Sequence, residues 1–283
     1  MKKKLLTIAG SILAVILLFI ALLPTIMQSL GLHPDYNGPT YTVESGKALI
    51  VTTSHGVLSR PGETEGEATG VFSSEMTHPY YVFLEAGMDV DVASIKGGEI
   101  PIDSDSFRYM IISDEDKRFL NDAVFQAKVK NSIRIDDIDF AEYDVVFLAG
   151  GWGAAYDLEQ SDVLAQKISD AYYSEKETII GSVCHGALGL VNAEDLDGNL
   201  LIAGRRATGV TNRQLDALNI AFTPKHPETE LKEAGAIYES STAFRDFYAT
   251  HVTVDDEQRF VTGQNQNSGL EASHKITEIL AGR

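Results

Sequence analysis

The chain has 283 residues, 44% of them hydrophobic, and 23 Lys plus Arg against 41 Asp plus Glu give it a formal charge of −18. That size supports one large α/β domain or two small ones with a substantial core, while the negative charge and the lack of a basic stripe speak against nucleic-acid binding. A single cysteine permits neither an internal disulfide nor a Cys-rich zinc site, and the seven histidines show no short ligand spacing, so no metal is expected.

Lys2, Lys3 and Lys4 precede an uncharged run from Leu5 to Leu23. At about 1.5 Å per residue this run is long enough to cross a hydrocarbon core of about 30 Å, and the lysines favour the cytoplasmic side. Residues 1–25 therefore read as a single-pass membrane anchor, a transmembrane helix with the rest of the chain outside the cytosol. The alternative is a cleaved signal peptide and a secreted protein. A signal peptide has a shorter apolar region, roughly 7–15 residues, followed by a small-x-small site. Leu23, Pro24 and Thr25 supply no such site, and Ser29-x-Gly31 is a poor one. Residues 26–46, with Pro34, Gly38 and Pro39, read as a linker, and residues 47–283 as the soluble domain.

Lys47 to Thr53 is an apolar run of strand length and predicts the first strand of a parallel sheet. Ser54 to Gly70 predicts a long loop at that strand's C-terminal edge, where open α/β sheets form their sites. Helical spacing through Val71, Phe72, Met76, Tyr80, Phe83 and Leu84 predicts a helix capped by Gly87. Glu75 lies on it, and a solvated carboxylate is the ordinary fate of such a residue. Asp89 to Ile95 predicts a second strand with a Gly97-Gly98 turn, Glu115 to Lys130 helical stretches, and Tyr143 to Ala149 a third strand. Gly150-Gly151-Trp152-Gly153 follows at once. Glycines there let backbone N–H groups approach a reacting centre, although a tight strand-to-helix turn uses them equally well. Leu158 to Tyr173 predicts an amphipathic helix.

Glu177 to Val183 reads as a short buried strand and Ala187 to Val191 as the start of a helix, with Cys184, His185 and Gly186 between them. A sharp strand-to-helix turn pushes its residue out of the sheet, as in the nucleophile elbow of hydrolases. A helix N-terminus there favours a thiolate and stabilises an oxyanion. The alternative is a buried structural cysteine. Beyond the elbow, Leu200 to Ala203 and Ala207 to Val210 read as short strands. Thr211 or Asn212 caps a helix running to Leu218, and Glu228 to Gly235 reads as another helix. Phe247 to Val254 and Arg259 to Thr262 read as strands about an Asp255-Asp256 turn, and Glu271 to Leu280 as the last helix. Strands alternating with helices predict an α/β fold, a three-layer sandwich with a mainly parallel central sheet.

The segments TGVFSSEMTHPYYVFLEAGMDVDVAS, YDVVFLAGGWGAAYDL, GSVCHGAL, ATGVTN and FVTGQNQNS, in this order, resemble the ThiJ/PfpI superfamily. The resemblance spans Lys47 to Arg283 and is strongest to the branch of glutathione-independent glyoxalase III and the heat-shock chaperones. It implies a flavodoxin-like, class I glutamine amidotransferase-like fold. It also implies Cys184 as nucleophile, His185 as its catalytic histidine and Glu75 as the carboxylate that approaches the thiol. Backbone N–H groups of Gly151 and Trp152, with that of His185, are the implied oxyanion donors. The implied activity is the cofactor-free conversion of methylglyoxal, a small reactive carbonyl, to lactate, in a chain that resembles family members forming homodimers. Alternatives on the same elbow are a cysteine amidase or peptidase, and a non-catalytic chaperone or redox sensor. Gly151-Trp152-Gly153 departs from the branch's usual G-H-G, and Gln266-Asn267-Ser268 departs from its PAS-like segment. A membrane anchor is unusual for a family of mostly cytosolic proteins.

Overall fold

The computed structural model of the chain describes residues 2–29 and 35–283. His33 and Pro34 of the expected linker, and Gly31 of the weak cleavage site, lie outside the described residues. The N-terminal apolar run forms helix α1 (Lys2–Ser29), which contains Pro24 and continues past residue 25. Its Leu6–Met27 stretch has a mean hydropathy of 2.8 and none of its residues is buried, although Tyr109 Oη donates to Ala21 O at 3.1 Å; by length and composition it is able to cross a membrane.

The strands are β1 (Lys47–Thr52), β2 (Val57–Leu58), β3 (Glu67–Ala68), β4 (Asp89–Ser94), β5 (Ile133–Arg134), β6 (Val145–Leu148), β7 (Ile179–Val183), β8 (Arg206–Ala207), β9 (Ile237–Tyr238), β10 (Val252–Val254) and β11 (Phe260–Gly263). Among the described residues the main sheet has seven strands, ordered β10-β11-β7-β6-β1-β4-β5. All its pairings are parallel except that of β10 with β11. The helices after α1 are α2 (Ser73–Glu85), α3 (Asp114–Phe119), α4 (Ala123–Lys130), α5 (Ala154–Asp157), α6 (Asp162–Tyr172), α7 (Asn212–Ala217), α8 (Pro227–Glu233) and α9 (Gly269–Ala281).

Successive strand side chains point to opposite faces of a sheet, and here both faces are apolar. Ala48 and Ile50 of β1, with Val145 and Phe147 of β6, pack with Met76 and Phe83 of α2 and Ile276 of α9. Leu49, Val51, Val146 and Leu148 pack on the other face with Leu164 and Ile168 of α6 and Leu231 of α8. The central strands are continuous apolar runs for this reason, and the result is a helix–sheet–helix sandwich.

Four local readings differ. The Ser54–Gly70 loop carries a small hairpin of β2 and β3. Leu200 to Ala203 forms turns rather than a strand, because Gly198 and Gly204, at φ +81° and +75°, fold the chain tightly on both sides of it. Only Val252–Val254 of the expected Phe247–Val254 strand pairs with the sheet. Asp246–Tyr248 is a 3₁₀ turn whose carbonyls bond side-chain amides: Asn265 Nδ2 donates to Asp246 O at 2.8 Å, and Gln266 Nε2 to Phe247 O at 3.0 Å. The segment after the elbow is also a 3₁₀ helix, Cys184–Leu190, instead of an α-helix. Gly186 and Gly189 weaken α-helix propensity there, and both lie against Leu148 of β6, where a Cβ would collide.

Candidate active site

Cys184 follows the last residue of β7, between β6 and β11 at the C-terminal edge of the parallel sheet. Its φ is +56°, a left-handed conformation that costs a non-glycine residue of order 1 kcal/mol or more. The sharp, strained turn expected of an elbow is therefore present. The thiol is buried, with 3% of the residue exposed. His185 is fully buried, and its Nδ1 lies 3.5 Å from Cys184 Sγ.

Glu75 reaches this point from the first turn of α2. That turn is pinned from behind by the buried Asp116, whose Oδ1 accepts from Ser73 Oγ at 2.6 Å and Thr77 Oγ1 at 2.8 Å. Gly150 provides the space. A Cβ on it would overlap Glu75 Oε2 and stand 2.7 Å from both His185 N and Val183 O. The carboxyl thus lies against the Cys184 thiol and the Gly150 and Gly151 peptides, although its buried Oε2 has no well-aligned hydrogen-bond partner among the described residues. Gly151, at φ +95°, lets the loop close onto the backbone of Gly70 and Phe72 just ahead of α2. Glu75 is 1% exposed. The solvated carboxylate that a lone helix glutamate suggests is not what the fold makes.

Burial governs the electrostatics. It pushes the Glu75 carboxyl up to about 8, against partial opposition from the Cys184 thiol and the Gly150 and Gly151 N–H groups. The Cys184 thiol is pushed well above its ordinary value, first by burial and then by the Glu75 charge; the His185 and Gly151 N–H groups pull the other way. His185 is pushed down to about 3, by burial and then by His226. A protonated His185 therefore gives the thiolate no aid, since the imidazole is neutral near pH 7. Two acids in contact titrate as a pair. Once one proton has left, the other stays between oxygen and sulfur, and a neutral Glu75 becomes a donor to the thiolate.

The structure thus brings Cys184, His185, Glu75 and Gly151 together. Trp152 meets the site through its indole, which stands edge-on to the His185 ring with centroids 5.3 Å apart and planes at 80°. The Gln266-Asn267-Ser268 departure lies buried, with Asn267 Nδ2 donating to Phe247 O at 3.2 Å; it braces an internal turn. His226 was not singled out by the sequence. A histidine ahead of a Pro-led helix, far along the chain from Cys184, has no spacing that marks it.

Fold and elbow define a cysteine protein built on a doubly wound parallel sheet. The chain belongs to the DJ-1/PfpI family, whose model matches residues 67–278. A putative glutathione-independent glyoxalase of Schizosaccharomyces pombe is 30% identical over 80% of this chain and 89% of its own length. Among solved structures, glyoxalase III from Candida albicans superposes with a TM-score of 0.72 at 26% identity, covering 82% of this chain and 95% of that one. Rapid Encystment Protein 24 kDa of Francisella tularensis gives 0.74 at 33% identity, covering 83% and 99%.

Proposed function

We propose that the chain is a glutathione-independent glyoxalase that converts methylglyoxal to lactate through a Cys184 thioester. The observation that carries this reading is the buried contact of Glu75 with a left-handed Cys184 whose sulfur also faces His185 Nδ1. The names of the relatives support it. With one proton shared by the pair, the thiolate adds to the aldehyde carbon and the new oxyanion takes the proton from Glu75. The Gly151 and His185 N–H groups stabilise the oxyanion as it forms. Glu75, now a carboxylate, removes the C1 proton of the hemithioacetal and returns it to C2, while the C1 hydroxyl proton passes to the C2 oxygen. That transfer leaves a thioester, and water cleaves it to lactate and the free thiol. Glu75 suits this work better than His185, because its proton affinity lies near the working pH and that of His185 far below it. The slight exposure of Cys184 and the Trp152 indole beside His185 favour a small substrate. Lactate formation without glutathione, lost in Cys184→Ser, tests the reading.

For the N-terminal segment we propose a single-pass anchor in residues 1–25, followed by a linker to residue 46 and the α/β domain from residue 47, with Lys2–Lys4 in the cytosol and the domain outside it. The unburied apolar surface of α1 and its lysine-rich start support this.

A further inference from the structure

His185 has two ring nitrogens, and only Nδ1 faces the thiol. Its Nε2 is buried without a protein partner among the described residues, and so is Nε2 of His226. Buried polar atoms left unpaired are destabilising, and ordered water commonly satisfies them. The two imidazoles are neighbours, near enough that His226 helps to depress the proton affinity of His185. Their proximity has a structural cause. His226 immediately precedes α8, whose first turn packs on the elbow across Gly209. A Cβ on Gly209 would stand 2.9 Å from Pro227 Cβ, 3.1 Å from Ala187 Cβ and 3.1 Å from Cys184 O. Among the described residues no carboxylate bonds His185 Nε2, the position of the usual acidic partner of a catalytic histidine, and the side chain that acts on its proton affinity is a second imidazole.

We propose that His226 is a further catalytic residue, holding with His185 Nε2 the water that hydrolyses the Cys184 thioester. The proposal rests on the glyoxalase reading, whose last step needs such a water. The water oxygen adds to the thioester carbonyl carbon while one of its protons passes to His226. The tetrahedral intermediate then breaks its C–S bond, returning the electron pair to sulfur. Lactate leaves as the carboxylate; the second proton of the water returns to the Cys184–Glu75 pair, and the first goes out through His226, which is only half-buried. His185 lies wholly inside and cannot make that exchange alone.

The test compares the full-length wild type with His226→Gln and His226→Ala, after melting curves have confirmed that both variants fold. Slow deacylation gives a signature that general damage does not: kcat and KM fall together while kcat/KM holds. The expected result is a drop in kcat on the order of 10²-fold, with a lactoyl adduct on Cys184 accumulating in acid-quenched intact mass spectra. Hydroxylamine, an external nucleophile, should then restore turnover and release lactohydroxamate. Unchanged kinetics, or a loss of kcat/KM without adduct, overturns the proposal. A second arm does not need methylglyoxal. Cys184 is acetylated with p-nitrophenyl acetate, and loss of the acetyl thioester is followed in wild type and variants. If wild type makes no lactate, the glyoxalase reading falls, and the acetyl arm still decides His226: equal deacetylation rates overturn its role. Failure of Cys184 to accept either acyl group overturns both.

Discussion

Burial sets the protonation of the site residues against one another. Glu75 holds its proton up to about 8 in the folded chain and up to 4.5 when unfolded. Between these values the folded state binds the extra proton, so this contribution to stability is full below 4.5 and is lost as pH rises through 8. The slope is at most about 1.4 kcal/mol per pH unit. His185 acts in the opposite sense: with a folded value of about 3 against 6.5 unfolded, its contribution is full above 6.5 and is lost as pH falls toward 3. The two slopes cancel between 4.5 and 6.5 and leave that of Glu75 alone above. Denaturant titrations of wild type and Glu75→Gln from pH 4 to 9 should show the stability difference shifting against wild type as pH rises, and levelling off beyond 8. A difference independent of pH contradicts the buried acid. In turnover, kcat/KM of wild type should climb as the Cys184–Glu75 pair loses its first proton. Glu75→Gln should lower it by about 10²–10⁴-fold if Glu75 moves the substrate proton; an undiminished rate removes Glu75 from the mechanism.

The elbow works because separate elements leave room for one another. Gly150, after β6, is the point where α2, β7 and the loop carrying Gly151 converge. Gly150→Ala should displace Glu75 or the His185 peptide, since the added Cβ meets main-chain atoms at 2.7 Å that cannot rotate away. We expect a stability loss of about 1–3 kcal/mol and near-complete loss of lactate formation, measured by melting and by turnover. A fully active variant refutes the proposed convergence. Much of this convergence was legible in the sequence. Apolar runs at 47–53, 143–149 and 177–183 mark parallel strands because both sheet faces are covered, and the alternating 89–95 segment marks another. The small-residue turn around Cys184 marks the elbow. What stayed hidden depends on the surroundings. The 3₁₀ form of Cys184–Leu190 follows from contact with Leu148, and the late start of the Phe247–Val254 strand from side-chain amides supplied by Asn265 and Gln266. The neutral state of His185 comes from burial that no local pattern records. His226 reaches the elbow only through the packing of α8 across Gly209.

Across the whole molecule, the apolar surface of Leu6–Met27 is separate from the core of the α/β sandwich. The proposed membrane anchor would keep that surface out of water without taking part in the site. Protease added to intact cells or spheroplasts should therefore digest the domain, and protection that persists until lysis contradicts the proposed orientation. Removing residues 1–34 should leave a soluble protein with unchanged kcat. Tyr36, which stacks on His274 of α9 with ring centroids 3.8 Å apart, stays in such a fragment. A fragment with lowered kcat would tie α1 to the site. The central claim concerns the chemistry itself, and it is tested most directly by lactate release from methylglyoxal in glutathione-free buffer by the full chain and its Cys184→Ser form. The account predicts steady lactate formation by wild type and only background by the variant. Equal rates from the two, or none from a folded wild type whose thiol is intact, would contradict it.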